Sequence, residues 1–226
     1  MPPISRQTAV DALRLSPVFD GSDTSLWSDG AFVPGRNDSV LVFPGFGKPV
    51  VIPLGTGGGC VEKGPFSDLV VRLGPFKIPE DRPLLVNPVD GREENLRCLV
   101  RDPNVYPLRR WSSFKNSADL IKGRGNIRDF HGALEGDPRV TAAASIGGTA
   151  QGSIISSSDP AFWLTHAQLD RWKQGVHGTG TYLNIPPSAE VKVEDVIDVL
   201  PHAGPVKIKD LMNTVGGNPL CYAYLS

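Results

Sequence analysis

Three side chains in this 226-residue chain have the types and spacing to support metal chemistry: His131, Glu135 and His166. His131 and Glu135 lie four residues apart, which places both on one face of a helix. With His166 they would supply two imidazoles and one carboxylate, a donor set suited to a single non-haem iron or a catalytic zinc. Each also has a simpler reading. His131 and Glu135 fit a solvated turn, and His166 fits a hydrogen-bonded core histidine. Other chemistries find less support. Gly57, Gly58 and Gly59 are followed by no G-K-S/T and read as a turn rather than a phosphate loop. Ser156, Ser157 and Ser158 form a polar loop without a nucleophile elbow. Cys60, Cys98 and Cys221 have no C-x-x-C spacing, are too few for a disulfide scaffold, and fit buried thiols.

The element that must position His166 is the stretch D-P-A-F-W-L-T-H-A-Q-L-D-R-W over 159–172. Asp159 is a helix cap, and Pro160 at the first helical position costs no hydrogen bond. The pattern predicts a helix over 160–173, with Phe162, His166, Leu169 and Lys173 on one stripe. Further helices are predicted over 113–122 and 126–135, with Ser117 and Asn126 as candidate caps, and a short one over 6–15. Residues 40–43 and 50–52 read as extended pieces. A strand over 68–73 would place Leu69, Val71 and Leu73 on one face. With 25 Gly and 21 Pro, the connections must be long and irregular.

The expected fold is mainly α with extensive loops and a few short strands, in one sizeable domain. A net charge of −1 gives no reason to expect nucleic acid or an anionic membrane as partner. No apolar run is long enough to span a bilayer and no secretory segment follows Met1, so an intracellular location is expected. Asn37-Asp38-Ser39 is a glycosylation sequon, which has meaning only in a secreted protein.

The run D-P-A-F-W-L-T-H-A-Q-L-D-R resembles the second-copper signature of the tyrosinase family of type 3 copper proteins, D-P-x-F-x-L-H-H-A-x-x-D-R. The resemblance implies that His166 occupies a copper-ligand position and that Thr165 replaces the neighbouring histidine. Residues 16–25, 57–60, 64–66 and 95–102 are similar to the segment that fungal tyrosinase-like proteins carry between their two copper-binding halves. Residues 130–138 look like a block that reads F-Q-x-x-M-Q-G-D-P in the family, just upstream of the ligands. The ligand block V-H-x-x-G-H-F-x-I-G-G is matched by residues 140–148, anchored by Ile146-Gly147-Gly148 and without a histidine. Residues 178–188 and 206–212, and a closing G-G-x-x-x-C-Y-x-Y, are similar to the family's C-terminal end.

On this resemblance, residues 1–226 correspond to the C-terminal part of a tyrosinase-like domain. Residues 1–110 form a loop-rich segment, and 111–226 a degenerate second-copper region with its C-terminal segment. The implied architecture is a partial helix bundle lacking the first-copper helices. Cys60 and Cys98 stand where family members can form a disulfide, and would be free thiols in a reducing compartment. Copper is the family's cofactor, but with only His166 left of three second-copper ligands, a dinuclear centre is not expected here.

Three functions follow, in descending order of preference. The first is a non-catalytic remnant: a pseudoenzyme, a binding module or a truncated product. The second is a single-metal or metal-free enzyme acting on a small aromatic metabolite through His131, Glu135 and His166. The third is the family's copper-dependent oxidation of phenols or catechols. Loss of the facing helices would also uncover Phe162, Trp163, Leu169 and residues 140–146. A homodimer or another partner is then expected to cover that face.

Overall fold

Residues 99–104 are the seam on which a loop-and-strand half meets a helical half. The structure, a computed structural model, describes residues 20–26, 28–41, 49–74, 93–123, 127–152, 155–174, 181–184, 189–198, 204–212, 214 and 220–223. The expected helix over 6–15 and the connection over 75–92 lie outside the described residues.

The described residues hold five α-helices: α1 Val105–Trp111, α2 Phe114–Lys122, α3 Ile127–Leu134, α4 Val140–Ile146 and α5 Pro160–Gln174. Their ten short strands are β1 Gly30–Phe32, β2 Ser39–Leu41, β3 Val50–Ile52, β4 Gly58–Val61, β5 Val70–Val71, β6 Arg97–Cys98, β7 Thr181–Asn184, β8 Ala189–Lys192, β9 Val196–Ile197 and β10 Val206–Lys207. The strands pair antiparallel in twos: β1 with β4, β2 with β3, β5 with β6, β7 with β8, and β9 with β10. None of the described helices is long and apolar enough to cross a membrane.

The seam works through main-chain hydrogen bonds in both directions. On the strand side, Val61 N donates to Leu99 O and Gly58 N to Arg101 O, each at 2.8 Å. On the helix side, Thr149 N donates to Val100 O at 2.8 Å, Asp102 N to Ile146 O at 3.0 Å and Asn104 N to Ser145 O at 2.8 Å. Two small apolar clusters flank it: Val61, Val71 and Leu99 with Phe66 and Leu69 against them, and Ile146, Ala150 and Ala161.

Glycines permit this close approach. A Cβ at Gly148, where φ is +53°, would stand 2.2 Å from Val100 O, and one at Gly147 2.4 Å from Asp102 O. The glycine pair after Ile146 therefore closes α4 against the seam. Gly58 and Gly59, expected in a turn, lie instead in β4. A Cβ on Gly59 would meet Ala31 O at 2.7 Å, so the missing side chain is what lets β4 pair with β1.

The cysteines also depart from the buried-thiol reading. Cys60 and Cys98 are joined in a disulfide with Cα atoms 5.5 Å apart, linking β4 to the end of β6. Cys221 is free and exposed.

Helix starts follow local chemistry. Asn104 caps α1 by accepting from Tyr106 N at 2.9 Å, and Pro107 sits in the first turn, where its missing N–H breaks no bond. Ser113, not Ser117, caps α2. The predicted 126–135 helix ends at Leu134 and continues as a π-turn, Glu135–Arg139, into α4. The 68–73 strand shrinks to β5, with Val71 buried and Leu73 exposed.

Candidate functional site

The site residues stand on α3, the π-turn, α4 and α5. Asp159 starts α5 by accepting from Ala161 N at 2.9 Å through its side chain, while its carbonyl accepts from Phe162 N at 2.9 Å. The helix then runs to Gln174, one residue beyond its predicted end. Along its stripe, the His166 ring stacks on Phe162 with centroids 3.9 Å apart and an interplanar angle of 31°. Leu169 is buried. His166 itself is half-buried and held by ring packing, in contrast to the hydrogen-bonded core histidine that the stripe suggested.

Charge arrives at His166 from the π-turn, which packs against α5. Partial burial lowers the His166 pKa below its ordinary 6.5; the Arg139 guanidinium lowers it further, and the Glu135 carboxylate acts in the opposite sense. Those two side chains are themselves joined, Arg139 Nε donating to Glu135 Oε2 at 2.5 Å. His131 is exposed on α3, with its ring 6.1 Å from that of the fully buried Phe130. Among the described residues no group of three His, Cys, Asp or Glu side chains could hold a metal ion. The expected shared face of His131 and Glu135 falls at the junction of α3 and the π-turn.

Thr165 and Ser145 spend their hydroxyls on their own helices. Thr165 donates its hydroxyl to Ala161 O at 3.0 Å, one turn back on its own helix. On α4, Ser145 donates to Thr141 O at 2.7 Å, and Thr141, Ala144, Ser145 and Ile146 are all buried. The expectation that Leu169 and residues 140–146 would be uncovered therefore holds for neither Leu169 nor these four. α4 packs on α1, a helix that the sequence reading did not anticipate. Trp163 does stand in solvent at 62% exposure, with Leu164 beside it at 42%.

Sequence reasoning missed Arg139 as the neighbour of His166. Its spacing of four from Glu135 is a signal for an ion pair that could have been read. It also missed Arg101, which reaches Asp159 from the seam; no local pattern marks that contact.

Residues 8–174 match the family model for the common central domain of tyrosinase. Tyrosinase P of Aspergillus terreus is 30% identical over 94% of this chain, and the chain spans 64% of its length. Tyrosinase-like protein orsC of Emericella nidulans is 31% identical over 70% of this chain, which spans 45% of that protein. Among solved structures, a polyphenol oxidase variant from Thermothelomyces thermophila is similar at a TM-score of 0.75 and 30% identity. That match covers 93% of this chain and 62% of the polyphenol oxidase.

Proposed function

The chain belongs to the tyrosinase family, and from that membership we propose that it is a family domain which does not hold a copper pair and so acts as a pseudoenzyme. The observation that carries this reading is the Glu135–Arg139 ion pair beside His166, where a copper site would need further donors.

Tyrosinase-family chemistry depends on copper, which favours imidazole ligands. His166 is one imidazole. α4 bears Val140, Thr141, Ala142, Ala143, Ala144, Ser145 and Ile146, none of which offers an imidazole, thiolate or carboxylate. Alanine has no donor atom, and a hydroxyl is a poor match for copper in either oxidation state. The Thr165 hydroxyl is engaged with its own helix, and the Glu135 carboxylate with Arg139. A guanidinium near His166 also opposes the approach of a dication. These residues do not fit copper.

What they retain is a half-buried ring stack of Phe162 and His166 with a cation nearby, a surface suited to a small aromatic or phenolic molecule. Binding without oxidation is the activity proposed for that surface.

The test is metal retention by the full chain, measured by elemental mass spectrometry after separate loading with copper, zinc and iron and then desalting. The expected result is less than one equivalent of any metal, unchanged by His166→Ala. Stoichiometric retention lost in that variant would overturn the proposal. Additional dependence on His131 and Glu135 would point to a single-metal enzyme.

A further inference from the structure

We propose that Asn37 is an N-linked glycosylation site and that the chain matures in an oxidising, glycosylating compartment. Two features with unrelated chemistry point the same way. The first is the Cys60–Cys98 disulfide, whose Cα separation of 5.5 Å lies in the range such bonds normally occupy. Protein disulfides form and persist in secretory and extracellular environments, whereas cytosolic thiols are kept reduced. Cys60 is exposed, so a glutathione pool would have access to this bond.

The second feature is Asn37-Asp38-Ser39, an N-x-S acceptor sequence. Its value depends on where the fold puts it. Asn37 is exposed, in the loop between β1 and β2. Both neighbours are anchored. Arg36 forms a two-pronged ion pair with Asp102, at 2.5 Å and 3.1 Å, and the Asp38 carboxylate accepts from Leu54 N at 3.1 Å. The loop is open to solvent just before the sequon, since a Cβ placed on Gly35 would meet nothing within 4 Å. A glycan on Asn37 would thus leave from a fixed stem without displacing a packed group. In the cytosol neither feature would operate, because the sequon would be inert and the cysteines would be thiols.

The experiment is to tag the gene at its 3′ end in its own host and purify the full product from wild-type, Asn37→Gln and Ser39→Ala strains. Each product is treated with an N-glycosidase and mapped by non-reducing peptide mass spectrometry. The expected wild type shows a glycosidase-sensitive mass addition on the Asn37 peptide and a linked Cys60–Cys98 peptide. Both variants should lose the addition and keep the linkage. Ser39→Ala leaves Asn37 in place, which separates loss of the acceptor motif from damage to the loop. An unmodified Asn37 peptide in the wild type would overturn the proposal, as would free Cys60 and Cys98 thiols in the same product.

Discussion

Arg101 and Asp159, 58 residues apart in the chain, meet in a fully buried two-pronged ion pair: Nε to Oδ2 at 2.9 Å and Nη2 to Oδ1 at 2.6 Å. The remaining Arg101 nitrogen donates to Leu26 O at 2.7 Å, and Asp159 also caps α5. One contact therefore ties the loop half, the seam and the helix of His166 together. Removing one member strands the other as a buried charge, which costs about 3–5 kcal/mol. Arg101→Met and Asp159→Asn should each lower stability on that scale in urea unfolding. The double variant should lose clearly less than their sum. Strictly additive losses would show that the pair is not coupled.

The disulfide closes a 38-residue separation, and an intact crosslink of that kind stabilises by about 2–4 kcal/mol through the unfolded chain. Cys60→Ser/Cys98→Ser, or reduction of the wild type, should lower the melting temperature. Cys221→Ser should leave it unchanged, since that thiol is exposed and unbonded. Equal effects from all three treatments would mean that the crosslink contributes nothing specific.

Much of this was legible from the residues. Local rules found α5, because Asp159, Pro160 and the apolar stripe all act within one helix. They also located β2, β3 and α2 to within a few residues. What was hidden depends on contacts distant in sequence. α1 was missed because Pro107 reads as a breaker until its first-turn position is known. The Gly58–Gly59 strand looked like a turn because glycine permits both, and only the approach of Ala31 decides between them. His131 lies on α3 and Glu135 opens the π-turn that follows it.

Two glycines should respond to alanine with opposite signs. Gly148 has φ +53°, with the Val100 carbonyl in the space a Cβ would take, so Gly148→Ala should cost at least about 1–3 kcal/mol. Gly132 lies inside α3 with nothing within 4 Å of its Cβ direction, so Gly132→Ala should stabilise by about 0.5–1 kcal/mol. Denaturant midpoints of the two variants relative to wild type provide the measurement. A stabilising Gly148→Ala would refute the packing described for the seam, and a destabilising Gly132→Ala the open face described for α3.

His166 should titrate below its ordinary 6.5, first because of burial and then because of Arg139. The unfolded chain then takes up this proton at a higher pH than the folded one. Stability from this group is full above about pH 6.5 and is lost as pH falls from there towards the folded pKa, below which it levels off. Imidazole resonances followed by NMR should show Arg139→Met raising the pKa and Glu135→Gln lowering it. No movement in either variant would place the ion pair outside the electrostatic reach of His166.

Trp163 and Leu164 remain exposed on α5, and Trp163 packs edge-on against Phe162 with centroids 5.2 Å apart. A tryptophan fixed in that way offers apolar area at little entropic cost to a second copy of the chain. Sedimentation velocity across a concentration series should reveal a reversible dimer, and Trp163→Ser should shift it to monomer. Because the ring is already in solvent, the substitution should change folding stability by no more than about 0.5 kcal/mol. A wild type that stays monomeric throughout the series would mean that this face is not used for self-association.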